Sequence, residues 1–586
     1  MHKRPVLLLL VSLILMAAGL ACRLASFSPQ AEPTAAPTAT LTPTLAPTFT
    51  PTPKVPRTVR VAPDGSGDIP TLNQAVAELA AGSTILLDAG TYELPETLLI
   101  EHSLTIQGMG KDVTAITSSD PNGVLDFSGP GNIVLQGIHF KYQGAEWSSA
   151  VEIANGGFEV RDCRFSGGVR DLEENIGGNG LTVKETGNGS VFDSHFIENQ
   201  HHGLAIWDQV NALVENCIFE SNGSSGLSFW DSSVGIVKDS ESSNNMRSGF
   251  ATQGQSSVTF EDNVAFNNES YGFTAFGTST MSATGNEAFA NWLSGFVAQE
   301  QSQVTYVDNV AYDNKESGFA AFDATSIEAT GNQSYQNGIN GFSTADQAYG
   351  AFYNNKSFQN KYDGYSARVE SLMGGSGNEA YENGLNGFQT YNQATGAFEN
   401  CLAYRNDEFG FAARDDSSMA VWESEAYENL LSGFLSSGQA TMDLEFNLSY
   451  KNIESGFIAF DDSIMVATMN EAYENGLNGV DLQEQSEGTF ESNVVYNNGA
   501  GFRISDDSYA VIRENLIFEN KLSGIIVRLQ ASALIESNFI TDNLEAAMVF
   551  FHTSSGNVTG NTCSGNAWGI NIQDSATPTI GTNNCP

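Results

Sequence analysis

The stretch NEAYENGLNGV, residues 470–480, contains the motif on which most of the chain is built. Its Gly479 precedes an apolar residue, and the same pair recurs with a step of 23 residues. The series runs through Gly180, Gly203, Gly226, Gly249, Gly272, Gly295, Gly318, Gly341, Gly364, Gly387, Gly410, Gly433, Gly456, Gly479, Gly501, Gly524 and Gly569, with Ala547 in one place and steps of 22 after 479 and 547. A fixed period in the twenties is typical of a solenoid, in which each repeat stacks on its neighbours.

Within one repeat, counted from the glycine as position 1, the apolar residues indicate short strands. Position 2 is Leu, Phe or Tyr, position 4 is small or apolar, and position 3 varies, which is the alternation of a strand. Position 12 is apolar and alternates large and small from Phe260 to Phe398. Gly, Asn, Asp and Ser between these columns indicate tight turns. No helical stripe runs through the repeats, so we expect three short strands per coil.

Two asparagine columns support this coil. Position 15 is Asn from Asn263 to Asn378 and from Asn447 to Asn583, and position 20 is Asn from Asn199 to Asn566. Stacked amides donate and accept along a column and tolerate the left-handed backbone of turns. A row of asparagines that binds a ligand is the alternative; we interpret both columns as structural ladders at inside turns.

The repeat resembles that of the right-handed parallel β-helix proteins of the pectin-lyase-like superfamily, N-x-φ-x-x-N-x-x-x-G-φ-x-φ, represented here by residues 470–480. The resemblance covers 180–586 and implies an all-β parallel β-helix. It does not imply one activity, because lyases, hydrolases, esterases, epimerases and adhesins share this fold.

The first 56 residues are of a different kind. Residues 1–21 resemble a secretion signal, with Lys3 and Arg4 before an apolar run too short for a comfortable membrane span. The small residues before Cys22 resemble a bacterial lipobox, which implies lipidation of Cys22; ordinary cleavage and an uncleaved anchor are the alternatives. Residues 22–56 form a Pro/Thr-rich linker that we interpret as an extended stalk.

Residues 57–179 are expected to form an N-terminal cap and irregular first coils, ahead of the regular repeats at 180–586. Thr71 and Gln74 form a capping box before a short amphipathic helix, which would cover the open N-terminal end of the core. An insertion at 166–179 interrupts the repeat, either as part of a working surface or as a longer turn without a role.

The formal net charge of −44 argues against nucleic acid as a partner and against polyanionic substrates unless cations bridge them. Recurrent Asp at position 6, including Asp208 and Asp231, makes calcium a candidate cofactor. The alternative is that these aspartates form turns and keep the surface soluble. Cys563 and Cys585 occupy position 17 of successive coils and are predicted to form a disulfide.

Two aromatic features are candidate binding sites. Position 18 is aromatic in twelve successive coils and is expected to point outward, as a ribbon for sugars or a protein partner or as a stack that only stabilises the sheet. Its tyrosines are Tyr312, Tyr335, Tyr381, Tyr404, Tyr427, Tyr450, Tyr473 and Tyr496.

The second feature places Trp207 and Trp230 on adjacent coils, beside Asp208 and Asp231. His195, His201 and His202 are close in the repeat frame, so this is the candidate catalytic site for any glycan chemistry. The motifs of polygalacturonases, pectin methylesterases and epimerases of this fold are missing from the sequence.

We therefore expect an exported bacterial surface protein, lipid-anchored or secreted, that binds an extracellular polysaccharide or a surface protein without turnover. A carbohydrate-active enzyme of the lyase or hydrolase kind is the alternative, and a structural spacer is the third.

Overall fold

The computed structural model describes residues 54–174 and 176–586. The predicted signal at 1–21, Cys22 and all but the last residues of the predicted stalk lie outside the described residues. Lys54–Pro586 form one compact unit. Within the described part of the chain, no helix is both long enough and apolar enough to cross a membrane.

The unit is a parallel β-solenoid in which each coil adds one strand to each of three sheets, A, B and C. Sheet A comprises Thr58–Val61, Ser83–Leu87, Leu104–Gln107, Asn132–Gln136, Gly157–Arg161, Thr186–Phe192, Gln209–Glu215, Val234–Lys238, Ser257–Glu261, Thr280–Thr284, Gln303–Val307, Ser326–Thr330, Tyr349–Tyr353, Leu372–Ser376, Thr395–Glu399, Ser418–Trp422, Thr441–Glu445, Ile464–Thr468, Glu487–Glu491, Tyr509–Arg513, Ser532–Glu536, Ser555–Thr559 and Thr577–Ile580.

Sheet B comprises Gly90–Leu94, Thr114–Ser118, His139–Tyr142, Arg164–Ser166, His195–Ile197, Ile218–Glu220, Glu241–Ser243, Val264–Phe266, Glu287–Phe289, Val310–Tyr312, Gln333–Tyr335, Lys356–Phe358, Glu379–Tyr381, Leu402–Tyr404, Glu425–Tyr427, Leu448–Tyr450, Glu471–Tyr473, Val494–Tyr496, Leu516–Phe518, Phe539–Thr541 and Thr562–Ser564. Sheet C comprises Leu98–Ile100, Leu125–Phe127, Val151–Ala154, Leu181–Lys184, Leu204–Ile206, Leu227–Phe229, Phe250–Thr252, Phe273–Ala275, Phe296–Ala298, Phe319–Ala321, Phe342–Thr344, Tyr365–Arg368, Phe388–Tyr391, Phe411–Ala413, Phe434–Ser436, Phe457–Ala459, Asn478–Leu482, Ala500–Ile504, Ile525–Val527, Ala546–Phe550 and Trp568–Ile572.

The predicted all-β parallel fold is confirmed, and the register explains the repeat. Phe273 pairs with Phe250 and Phe296 on the flanking coils, so position 2 forms a continuous inner column. The ring of Phe273 stacks on those of Phe250 and Phe296, with centroids 4.9 and 4.8 Å apart. Positions 4, 12 and 17 also point inward, and their side chains are buried. The core is therefore a set of stacked columns along the axis.

The asparagine columns lie inside the turns, as predicted. Asn332 donates to the side-chain oxygen of Asn355 at 2.9 Å, and Asn337 makes the same bond with Asn360 at 3.0 Å. The residue before nearly every asparagine adopts a left-handed conformation, as at Asp308 (φ 52°) and Asp313 (φ 52°). Such a backbone turns the chain sharply, and the asparagine oxygen at the corner accepts from a buried N–H one coil earlier, as Asn332 does from Asn309 at 2.9 Å.

A third ladder, at position 23, was missed by the sequence analysis. The Asn340 oxygen accepts from the N–H of Asp363 at 3.0 Å, and an Asp363 oxygen accepts from the N–H of Asn386 at 3.1 Å. Serine fills the same role elsewhere, since the Ser294 hydroxyl accepts from the N–H of Ser317 at 3.3 Å. This column mixes Asn, Asp, Ser and His, which hid its periodicity.

The short helix predicted after Thr71 is present as α1, Leu72–Glu78. The Thr71 hydroxyl accepts from the N–H of Gln74 at 3.3 Å, and Leu72, Ala75 and Val76 are buried in the core. Its role as a cover for the end of the core stays a prediction. In the insertion, Val169 pairs with Ser148, and Arg170 pairs with Gly177, both antiparallel.

Candidate functional site

The position-18 aromatics form an outward ladder on sheet B, here called the aromatic ladder. Its members are Phe266, Phe289, Tyr312, Tyr335, Phe358, Tyr381, Tyr404, Tyr427, Tyr450, Tyr473, Tyr496 and Phe518. Successive rings are nearly parallel; Tyr381, Tyr404 and Tyr427 stack at 4.9 Å with planes 5° and 4° apart. Each ring is half-buried. The faces of interior rings are thus covered by their neighbours, and the edges and hydroxyls face outward.

Carboxylates at position 16 join this ladder. The hydroxyl of Tyr312 donates to Glu287 at 2.6 Å, that of Tyr450 to Glu425 at 3.1 Å and that of Tyr496 to Glu471 at 2.8 Å. Burial, with nearby acidic charge, raises the pKa of Tyr404 to about 12. Because a sugar ring stacks on an aromatic face, the interior of this ladder offers hydrogen bonds at ring edges and no free stacking platform.

Trp207 and Trp230 directly follow strands Leu204–Ile206 and Leu227–Phe229 of sheet C. Their rings are parallel, with centroids 4.8 Å apart and planes 7° apart. Both line a surface cavity of about 580 Å³, here called the tryptophan groove, which also includes Tyr271, Phe276 and Arg247. Its remaining lining residues are His201, His202, Ser224, Ser225, Met246, Ser248, Ala251, Gln253, Glu269, Ser270, Thr274 and Glu300.

A second depression, of about 260 Å³, lies on the other side of Trp207. It shares Trp207 and His201 with the tryptophan groove and adds Lys184, Asp208 and Glu152 among its walls. Lys184 and Glu152 form an ion pair at 2.7 Å. The insertion contributes Ile176, Gly177 and Asn179 to this wall. Trp207 therefore borders two adjoining concave surfaces.

His201 and His202 line the tryptophan groove together with Trp207 and Trp230. The two imidazole rings are 4.1 Å apart, and His202 meets Trp230 edge-on at 6.3 Å. His201 Nδ1 is 3.1 Å from the carbonyl of Gly177 in the insertion. Burial lowers the pKa of His201 to about 4 and that of His202 well below its usual range. Both imidazoles are therefore neutral at neutral pH, and neither ring nitrogen of buried His202 makes a hydrogen bond of standard geometry.

His195 is not part of this cluster, which corrects the grouping expected from the sequence. It begins strand His195–Ile197 of sheet B and lines a different depression, beside His139 and Arg164. Position 16 and position 5 lie on different faces of the coil. Spacing within the repeat placed His195 near the tryptophans, whereas the corner at Asn199 separates the two faces.

Asp208 and Asp231 occupy corners of the coil, with φ of 59° and 57°. Asp208 Oδ2 accepts from the N–H of Glu185 one coil earlier at 2.8 Å, and Asp323 makes the equivalent bond with Glu300 at 3.1 Å. Asp208 and Asp323 thus cap the preceding coil. Among residues 54–174 and 176–586, no group of three or more His, Cys, Asp or Glu side chains is placed to hold a metal ion.

Cys563 and Cys585 are joined by a disulfide, with Cα atoms 4.4 Å apart. Cys163, Cys217 and Cys401 are buried free thiols, and burial raises the pKa of each to about 12. Such thiols are unreactive at neutral pH because the thiolate is the nucleophile. The cysteines therefore belong to the architecture of the coils.

Sequence reasoning missed Arg247, Glu269, Tyr271, Phe276 and Glu300 as lining residues of the tryptophan groove. Phe276 shares position 5 with the two tryptophans, so an aromatic preference at that position was a usable signal. The others come from positions 21, 22, 23 and 6 of neighbouring coils, where residue type varies. Their convergence depends on how coils stack.

Several solved structures resemble this chain at low identity. They include the A-module of the mannuronan C-5 epimerase AlgE4 from Azotobacter vinelandii, with 17% identity, TM-score 0.35 and coverage of 56% of this chain and 88% of that chain. The periplasmic alginate epimerase AlgG has 13% identity, TM-score 0.36 and coverage of 60% and 82%. The GH87 α-1,3-glucanase of Streptomyces thermodiastaticus has 16% identity, TM-score 0.34 and coverage of 58% and 61%. Nothing about the activity of this chain follows from them.

No curated protein matches the chain at a significant level of sequence similarity. The family described as the right handed beta helix region matches residues 149–280, 231–358 and 455–585, which together are more than half of the sequence. With its three parallel sheets, its stacked coils and this match, the chain belongs to the right-handed β-helix family.

Proposed function

We propose that the protein binds an extracellular glycan in the tryptophan groove and holds it without turnover. The observation that carries this proposal is the convergence of Trp207, Trp230, Tyr271 and Phe276 on one concave surface with charged and hydroxyl groups at its edges. Aromatic rings stack on the apolar faces of sugars, and the polar groups fix the hydroxyls. The volume of about 580 Å³ suits a ligand of a few sugar units.

The charges beside the groove favour a ligand rich in hydroxyl groups. Glu269 and Glu300 accept hydrogen bonds, and Arg247 donates them. Ser270 and Thr274 add hydroxyls that do both. A net charge of −44 opposes the approach of a polyanion, so we infer a neutral or weakly charged glycan.

The test is a glycan array followed by depletion of soluble polysaccharides by the full chain, with calcium and with a chelator. We expect retention without released sugar, and at least a tenfold loss of affinity in Trp230→Ala. Trp422→Ala is the matched control, because Trp422 is half-buried on the outer face of sheet A. Tyr427→Ser tests the aromatic ladder. Loss of binding in Tyr427→Ser with Trp230→Ala unchanged would move the site to the ladder.

An enzyme of the hydrolase or lyase kind is the second candidate. It is favoured by the two carboxylates, Glu269 and Glu300, that line the same groove, since paired carboxylates perform acid–base chemistry on glycosidic bonds. Shortened products in the depletion assay, absent for Glu269→Gln, would establish it. If Glu269→Gln still released shortened products, Glu269 and Glu300 would be excluded as the catalytic pair.

We also propose export to the bacterial surface, with lipid attached at Cys22 and residues 22–56 as the stalk. The proposal rests on the apolar run before Cys22 and on the Pro/Thr-rich tract after it. Mass spectrometry of the mature N-terminus would identify a lipid on Cys22, and Cys22→Ser would release the protein from the cell. Retention of Cys22→Ser on the cell would point to an uncleaved anchor.

A further inference from the structure

A depression of about 320 Å³ lies on the outer face of sheet B, over the adjacent strands His139–Tyr142, Arg164–Ser166 and His195–Ile197. Arg164 pairs with His139 on one side and with His195 on the other, so position 16 carries three nitrogen-bearing side chains in a row. In the position-18 row, Lys141 lies next to Ser166. Neighbouring strands are about 4.8 Å apart, so these groups converge within the reach of one small molecule.

This gathering of bases is unusual for the chain, which has 25 Lys and Arg against 69 Asp and Glu. Lys141 is exposed and makes no ion pair or hydrogen bond with the described residues. Arg164 Nε is a buried atom without a hydrogen-bond partner, whereas the buried His195 Nε2 has a Glu220 carboxylate oxygen 3.6 Å away. A buried donor such as Arg164 Nε normally has a partner, and the lack of a partner here points to a ligand.

Acidic groups border the depression without neutralising it. Asp112 accepts from Arg164 Nη2 at 2.8 Å, but its side chain is 71% exposed, so this pair contributes little. Glu220 is 3.6 Å from His195 Nε2, and Glu198 lies at the edge. His139 Nε2 is 2.8 Å from the Ser166 hydroxyl, which leaves that hydroxyl able to serve a ligand as well.

We propose that this depression is a binding site for an oxyanion, a phosphate or sulfate group that is either free or carried as an ester on a sugar. The Lys141 ammonium and the Arg164 guanidinium would hold the oxygens, with His139, His195 and Ser166 completing the contacts. Charge-assisted bonds of this kind are the strong ones, and a guanidinium matches a tetrahedral anion in two directions. The volume leaves room for a monosaccharide beside the anion.

The histidines give the site a pH signature. Burial, followed by the nearby charges of Arg164 and Lys141, lowers the pKa of His139 to about 4, against a smaller opposing effect of Asp112. Burial and Arg164 also lower the pKa of His195, while Glu220 opposes the shift. A bound anion raises both pKa values, so an anion whose charge stays constant in this range, such as sulfate, should bind with uptake of protons and more tightly as the pH falls from 7 to 5.

The experiment is calorimetry on the full chain with inorganic phosphate, glucose 6-phosphate and glucose. We expect both anions to bind and glucose not to bind here, with tighter binding of the ester if a sugar is the natural carrier. Lys141→Gln and Arg164→Gln should each weaken binding at least tenfold. Lys238→Gln is the control, because it removes one charge from an ion pair on sheet A, with Glu261.

Histidine NMR signals supply a second readout. Phosphate should shift the signals of His139 and His195 and leave those of His201 and His202 unchanged, which separates this site from the tryptophan groove. Arg164→Lys keeps the positive charge but loses the planar guanidinium with its paired N–H donors. This variant should therefore bind phosphate more weakly than the native chain. No binding of either anion, or equal binding in Lys141→Gln, Arg164→Gln and the native chain, would overturn the proposal.

Discussion

Replacing Asn332 with alanine tests whether the asparagine ladder stabilises the solenoid. Asn332 is fully buried, and its amide donates to the Tyr306 carbonyl at 3.0 Å and to Asn355 Oδ1 at 2.9 Å. Its oxygen accepts from the N–H of Asn309 at 2.9 Å and from Asn309 Nδ2 at 3.0 Å. Alanine removes these four bonds and a fifth, from the Asn332 amide to the Thr330 carbonyl at 3.2 Å, and leaves the Asn309 N–H buried without a partner.

The expected cost follows from these contacts. Hydrogen bonds contribute about 1 kcal/mol each, and an orphaned buried donor costs about 1–3 kcal/mol. Bonds that share one side chain are not additive, so we expect a loss below their sum, about 3–5 kcal/mol in the free energy of unfolding. Asn332→Ser is the matched control. At the same position of another coil, the Ser240 hydroxyl accepts from the N–H of Cys217 at 3.1 Å and donates to the Lys238 carbonyl at 2.7 Å. Serine should therefore cost about 1–2 kcal/mol.

Urea denaturation gives the shift in midpoint, and hydrogen exchange of the Asn309 amide reports the local opening. Local exchange matters because each coil contacts only its neighbours and a solenoid opens in parts. The alanine variant should exchange faster at Asn309 than the serine variant. Equal stability of Asn332→Ala and Asn332→Ser, or a loss below about 1 kcal/mol for alanine, would refute the reasoning.

Three further predictions concern other columns. Burial raises the pKa of Asp363 to about 6 from 3.8, although hydrogen bonds from Asn386 oppose the shift. The buried charge therefore destabilises the fold: the loss of stability begins as the pH rises above about 4 and is complete above about 6. In urea denaturation, Asp363→Asn should raise the free energy of unfolding by about 1–3 kcal/mol at pH 8 and leave it unchanged below pH 4. An equal effect at both pH values would contradict this. Tyr427→Ala should cost about 1–3 kcal/mol, because Tyr427 stacks on two rings at 4.9 Å, whereas Tyr427→Phe should stay within about 0.5 kcal/mol; equal losses would show that stacking is not the cause. The Cys563–Cys585 disulfide links residues 22 positions apart and fastens the last coil. Its reduction should speed hydrogen exchange of the Cys563 amide, which donates to the Asn584 carbonyl, and leave exchange of the Asn309 amide unchanged. Unchanged exchange at Cys563 would show that the last coil stays closed without the disulfide.

Sequence reasoning placed the repeated columns correctly but did not place every residue of the candidate clusters. The burial of Phe273 and Asn332, and the outward direction of Tyr427, follow from one repeat, because every coil repeats the same environment. His195 shows the limit of this reasoning, since two residues a few positions apart lie on different faces when a corner separates them. The ladder at position 23 was missed because Asn, Asp and Ser can each serve the same backbone N–H.

Periodicity alone therefore determines the class of fold, the strands of each coil and the inward columns, since stacking identical coils leaves few other ways to bury them. The tryptophan groove and the proposed oxyanion site needed the folded structure. Each combines side chains from several coils, such as Trp230 with Tyr271, or Lys141 with His195. Those distances depend on how the corners turn and on which side chains of neighbouring coils leave space, and no period in the sequence contains that information.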